Sequence, residues 1–167
     1  MTPKLTPLAG RILEDIQIRS PAWKAEPASK QTVRTALAAI AATIALQSKE
    51  LCIVLADDET IRALNRQWRG IDKPTNVLSF PAPVPRRGAA RHLGDIVIAY
   101  ETAAKEARAE RKPFHHHLAH LALHGFLHLL GYDHESDRQA EAMERHERRI
   151  LARLGVPDPY ATRDADV

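Results

Sequence analysis

Apolar residues recur along the chain with two distinct periods, and the switches between them outline the fold. Residues Arg11 to Arg19 alternate polar and apolar positions through Asp15, Ile16, Gln17 and Ile18, the period of a half-buried strand, and Pro21 helps to end it. Val33, Leu37, Ile40 and Ile44 then recur at intervals of four, three and four, which predicts a helix from an N-cap at Ser29 to about Ser48. Leu51 to Ala56 is a short apolar run that suits a buried second strand. Asp57 is placed to cap a helix with Ile61, Leu64 and Trp68 on one side, giving a βαβ-like beginning.

Gly70 and Pro74 break that helix, and Asn76 to Phe80 reads as a third strand. A loop with Pro81, Pro83 and Pro85 follows. Its Arg86, Arg87 and Arg91 suit either phosphate contact or solubility. Asp95 to Ala99 predicts a fourth strand, Glu101 to Lys112 an exposed helix, Phe114 to Leu130 a largely apolar helix, and Ser136 to Leu154 a charged amphipathic helix closed by Gly155 and Pro157. No repeat or long linker divides the chain. The expectation is one α+β domain over residues 1–167: a four-stranded mixed sheet packed with about five helices, the apolar helix being central.

Composition adds limits. With 167 residues the chain can bury a core without staples, and 24 basic against 21 acidic residues is weak evidence for an RNA partner. The N-terminal residues hold Pro3, Pro7 and early charges, with no secretory or membrane-spanning stretch. The lone cysteine, Cys52, lies in a strand-like run, and a reducing cytoplasm is expected.

The candidate chemistry lies in the apolar helix. His124 and His128 are four apart and project from nearly one face, while Gly131 permits the left-handed turn that returns His134 to the same point. Three imidazoles with an open fourth position make a catalytic rather than a structural zinc site, one ion per chain, although nickel, copper or cobalt would also suit nitrogen ligands. Seven of the nine histidines fall between His115 and His134, so the others need sorting. His120 and His128 are separated by about 12 Å of helical rise and cannot share an ion. His115, His116 and His117 suit exposed or capping roles at a helix start, His120 a core, supporting or alternative ligand role, and His146 a solvent-facing one.

The same spacing occurs in metzincin proteases, which require a glutamate after the first histidine; here that residue is Gly125. A zinc metallopeptidase is therefore the lesser reading. Beyond the histidines, the chain resembles the YbeY endoribonucleases through four ordered segments: Leu64 to Phe80, Leu93 to Ile98, the histidine motif, and Asp158 to Tyr160. The resemblance implies the same α+β architecture and zinc ligands at His124, His128 and His134. It further implies a functional arginine at Arg69, where Trp68 takes the place of the family's preceding aromatic residue. The implied activity is single-strand-type RNA cleavage in ribosomal RNA maturation, including 16S rRNA 3′ end processing, and in ribosome quality control. Its partners would be precursor rRNA and a ribosomal subunit or its proteins.

An arginine fork suits an anionic phosphoryl transition state, while Arg69 could otherwise pair with Asp72. Asp133 and Asp95 could each orient a ligand imidazole or merely cap a turn, and Glu135 is a weaker candidate base. Ser79 and Thr75 suit strand and turn roles. A third reading, a noncatalytic metal-stabilised module that binds ribosomal components, stays open on sequence grounds.

Overall fold

The computed structural model of the chain describes residues 12–44, 46, 48–83 and 92–161. Strands β1 (Ile12–Ile18), β2 (Lys49–Ala56), β3 (Val77–Pro81) and β4 (His92–Ala99) form one sheet in the order β1-β2-β4-β3. The first two pairings are parallel and the β3–β4 pairing is antiparallel, so the sheet is mixed. Five helices, α1 (Ser29–Thr43), α2 (Asp58–Arg69), α3 (Tyr100–Ala109), α4 (Phe114–Leu129) and α5 (Asp137–Arg153), complete the α+β architecture. The expected fold class is the observed one.

Both faces of the sheet are covered, and strand alternation decides which residue goes where. Ile16, Ile53 and Ile96 are paired across β1, β2 and β4, and all join the larger core with α1, α4 and α5. Their strand neighbours Ala56, Val97 and Ala99 turn to the other face, where they pack with Ile61 of α2 and Leu78 of β3. Helix α4 is buried along most of its circumference, as its leucines predict: Leu118, Leu121, Leu123, Leu127 and Leu129 are all in the core.

Gly125 explains how closely α4 meets the sheet. A Cβ at this position would lie 2.9 Å from Ile96 Cγ2 and 3.1 Å from Ser79 Oγ, and Ser79 Oγ donates to the Gly125 carbonyl at 3.0 Å. The residue after the first histidine of the motif therefore faces β3 and β4. Gly125→Ala should lower stability by about 1–3 kcal/mol through overpacking, read as a shifted urea midpoint at unchanged slope.

Several element ends differ from the sequence reading. Helix α1 begins at Ser29, whose Oγ donates to Glu26 O at 2.7 Å, so Ala28 is the N-cap; the helix stops at Thr43 because Ile44 is extended. A short 3₁₀ turn, Pro21–Ala25, precedes it and buries Trp23, whose Nε1 donates to Ala56 O at 2.8 Å. Trp68 does not join Ile61 in the core. It sits in the last turn of α2, 65% exposed, edge-to-face with Phe80 of the edge strand β3. Pro85, Arg86, Arg87 and Arg91, the residues for which phosphate contact or solubility was weighed, lie outside the described residues.

Candidate metal centre

The site is assembled at the end of α4. Leu130 closes the helix, Gly131 takes a φ of +99°, and Tyr132 N donates back to Leu127 O at 3.1 Å, so the chain reverses immediately after His128. His134 then stacks on His124 with ring centroids 5.2 Å apart and planes 20° apart, and lies 5.4 Å from the His128 ring. Ligand atoms of His124, His128 and His134 all fall within 4.8 Å of one another, a set that could hold a metal ion.

The protonation pattern fits that use. Helix α5 contributes Glu147, which has no exposed surface, and Oε1 of this carboxylate accepts from His124 Nδ1 at 2.9 Å. Its other oxygen, Oε2, accepts from His120 Nε2 and, at 2.6 Å, from Tyr160 Oη. Burial alone would push Glu147 up, but the hydrogen bonds from His120 and His124 outweigh it and hold the group at about 2. An ionised acceptor at Nδ1 fixes the proton of His124 there and makes Nε2 the lone-pair nitrogen. His124 Nε2 accepts from His128 Nε2 at 3.0 Å, a bond that an ion held between the two rings would replace. Burial, then the neighbouring His124 and His134, lower the pKa of His128 and favour its neutral, coordinating form.

A cavity of about 580 Å³ opens over the three rings, and Arg69 lines it together with Ser79, Tyr132 and Asp133. Gly70, left-handed at φ +71°, ends α2 and turns the chain behind Arg69. The loop beyond is pinned by Asn65 Nδ2 donating to Lys73 O at 2.8 Å and by a two-point pair of Arg62 with Asp72. Arg62 thus occupies Asp72, the alternative partner for Arg69, whose Nη1 donates at a long 3.4 Å to Asn65 Oδ1.

The carboxylates proposed from sequence are placed differently. Asp133 Oδ1 accepts from the His134 backbone N–H at 2.7 Å, the turn-capping role, although the residue also lines the cavity. Asp95 is not brought to the histidines. It is paired with Cys52 and Phe80, whereas the next residue, Ile96, faces α4, so Asp95 points from the opposite face and lies 3.8 Å from His92. Glu135 is exposed.

Two histidines also depart from expectation. His117 is buried with Nε2 3.2 Å from Glu106 Oε2, and His146 is part-buried against the Tyr132 hydroxyl at 3.1 Å. Glu147 is the functional candidate that the sequence reading missed. Its signal was present: Met143, Glu147, Ile150 and Leu151 share one stripe of α5, so a carboxylate stood where the period called for an apolar residue. Glu147→Gln should weaken metal binding about 10-fold to 100-fold, measured by competition with a chelating dye, while the helical circular dichroism persists.

A family model described as "Endoribonuclease YbeY" matches residues 15–155 of the chain. A protein named Endoribonuclease YbeY from Rhodopseudomonas palustris is 55% identical over 156 residues, covering 90% of this chain and 91% of the relative. Another of that name from Bradyrhizobium diazoefficiens is 53% identical over 158 residues, covering 90% and 86%. The solution structure of TM1509 from Thermotoga maritima matches in fold with a TM-score of 0.52 at 24% identity, over 85% of this chain and 91% of that one.

Proposed function

This chain belongs to the YbeY endoribonuclease family, and on that premise we propose that it is a zinc-dependent endoribonuclease acting on single-stranded ribosomal RNA precursors. The whole of residues 1–167 would act as one hydrolase domain, in the cytoplasm, in rRNA maturation and ribosome quality control, with a ribosomal subunit or its proteins as partners. Among the described residues no helix is long and apolar enough to cross a membrane.

The observation that carries the reading is the convergence of His124, His128 and His134 beneath a cavity that Arg69 also lines. In this reading the three imidazoles hold the ion and Glu147 keeps His124 in the tautomer that can bind it. A zinc ion there supplies a Lewis acid for phosphoryl oxygens and lowers the pKa of water. Arg69 can swing its guanidinium toward a phosphate, because its one side-chain hydrogen bond among the described residues, to Asn65, is long and Arg62 has taken Asp72. Its two parallel N–H groups match two phosphate oxygens and offset the charge that grows on them as the phosphodiester is cleaved. Asp133 borders the cavity, which Glu135 of the same loop does not line, and is a positioning group for the turn that carries His134.

The peptidase alternative needs a carboxylate following the first histidine. That position is Gly125, which has no carboxylate and packs so closely on Ile96 and Ser79 that even a Cβ would press on them. Purified zinc-loaded protein should cut a single-stranded 3′-terminal fragment of rRNA precursor internally, stop on chelation, and leave casein whole. Intact RNA with digested casein would reverse the assignment.

A further inference from the structure

A second, smaller cavity of about 220 Å³ neighbours the one over the histidine trio, and the two share Asn76, Val77 and His124 as walls. The second cavity lies toward the start of α4, between α3 and the segment of Pro159 and Tyr160 that follows α5. The functional reading above uses none of its polar groups other than His124. His120 and Tyr160 form an edge-to-face pair, centroids 5.7 Å apart, and both are committed to Glu147. Leu121 and Pro159 add apolar surface.

Two ring nitrogens of the lining, His117 Nδ1 and His120 Nδ1, are buried without a hydrogen-bond partner, and the carboxylate of Glu106 has one oxygen to spare. Its Oε2 accepts from Asn76 Nδ2 at 3.0 Å and from His117 Nε2 at 3.2 Å, which fixes the carboxylate. Oε1 makes no hydrogen bond among the described residues. Lys112, on the same wall, is ion-paired with Glu110. Burial pushes Glu106 up, but the bonds from His117 and Asn76 prevail and keep it below the ordinary range, so it is an acceptor at neutral pH.

A ring-sized space with aromatic and aliphatic walls and, in Glu106, a fixed carboxylate with one oxygen unpaired among the described residues, beside a phosphate-handling centre, has the chemistry that reads an unstacked base. A lone carboxylate oxygen selects among bases. The exocyclic amino groups of adenine, cytosine and guanine project a donor toward it, whereas the single N–H of the uracil edge is flanked by two carbonyls that a carboxylate repels. We propose that this second cavity is a base subsite, which takes one unpaired, amino-bearing nucleobase of an RNA strand whose backbone passes the histidine trio, with Glu106 Oε1 accepting from the amino group. The inference rests on the RNA reading above, but it concerns binding and can be tested without cleavage.

The zinc-loaded protein is titrated with the four nucleoside 5′-monophosphates and with purine riboside 5′-monophosphate, which is AMP without its amino group, and binding is followed by backbone amide shifts. AMP, CMP and GMP should bind at least about tenfold more tightly than UMP, and removal of the amino group should cost AMP the same factor. Glu106→Gln, which keeps the volume and can still accept from His117, should erase the preference. Equal affinities for all five ligands, or a preference that persists in Glu106→Gln, would overturn the subsite. The analogue comparison needs no variant, so a Glu106→Gln protein that fails to fold leaves the test decisive. Base discrimination without any RNA cleavage would sink the nuclease reading alone, and cleavage without discrimination would sink the subsite alone.

Discussion

Replacing His128 with alanine is expected to bring RNA cleavage down to the level of the metal-stripped protein and to abolish tight binding of zinc, with the fold intact. Two ligands remain, His124 and His134, too few to hold a catalytic ion at working concentrations. His128 is a better choice for this test than His124, for a reason that lies in α5. His124 Nδ1 is one of the three donors that satisfy buried Glu147, so His124→Ala also strips a hydrogen bond from an ionised carboxylate with no exposed surface. That loss should cost about 1–3 kcal/mol, whereas His128→Ala removes no donor from Glu147. Equal inactivity with unequal melting temperatures, His124→Ala the lower, is the expected pair of results. A His128→Ala protein that still bound one zinc ion tightly would mean that the ligands lie elsewhere, with the cluster of His120, His124 and Glu147 the next candidate.

The second large effect is expected at Arg69. Removing a charged donor aimed at developing charge typically costs 10²-fold to 10³-fold in turnover, and Arg69→Ala should fall in that range. Because Arg69 is exposed and, among the described residues, makes only the long hydrogen bond with Asn65, its loss should change stability by no more than about 0.5 kcal/mol and leave zinc stoichiometry as it was. Arg69→Lys restores charge without the planar fork and should recover only part of the rate. Single-turnover cleavage, with metal content measured on the same samples, separates this outcome from a ligand defect. Full activity in Arg69→Ala would remove it from the phosphate-binding group.

How much of this was legible in the residues follows from what each signal depends on. The trio was readable because i, i+4 spacing and a glycine stop are local: His124, His128 and Gly131 fix the geometry that His134 completes, within one turn and one reversal. The sheet and the five helices were readable for the same reason, through periods carried by Ile16, Val33, Leu37 and Ile61. The direction of Asp95 was not legible because β4 is covered on both faces. Ile96, Val97 and Ile98 are all buried, so apolarity gives no phase, and only pairing with β2 and β3 shows that Asp95 turns away from α4.

Glu147 and Tyr160 are far from the histidine motif in sequence and reach it through helix packing. Nothing in local spacing reveals their target. His117 was similarly hidden, since its partner Glu106 lies on α3 and the two helices must pack before the pair can form. Conversely, Arg69 carries almost no physical signal of its own; it entered through resemblance, and its placement in the cavity depends on Gly70 and on Arg62 taking Asp72.

The most direct test of the central claim is a zinc titration of stripped protein, with cleavage of a single-stranded rRNA fragment followed at each addition. Activity should be absent at the start, rise linearly, and break to a plateau at one equivalent of zinc per chain in the wild type, while His128→Ala stays flat throughout. Cleavage that proceeds fully without added metal, or that requires two equivalents to reach its plateau, would contradict a centre built from one ion and three histidines.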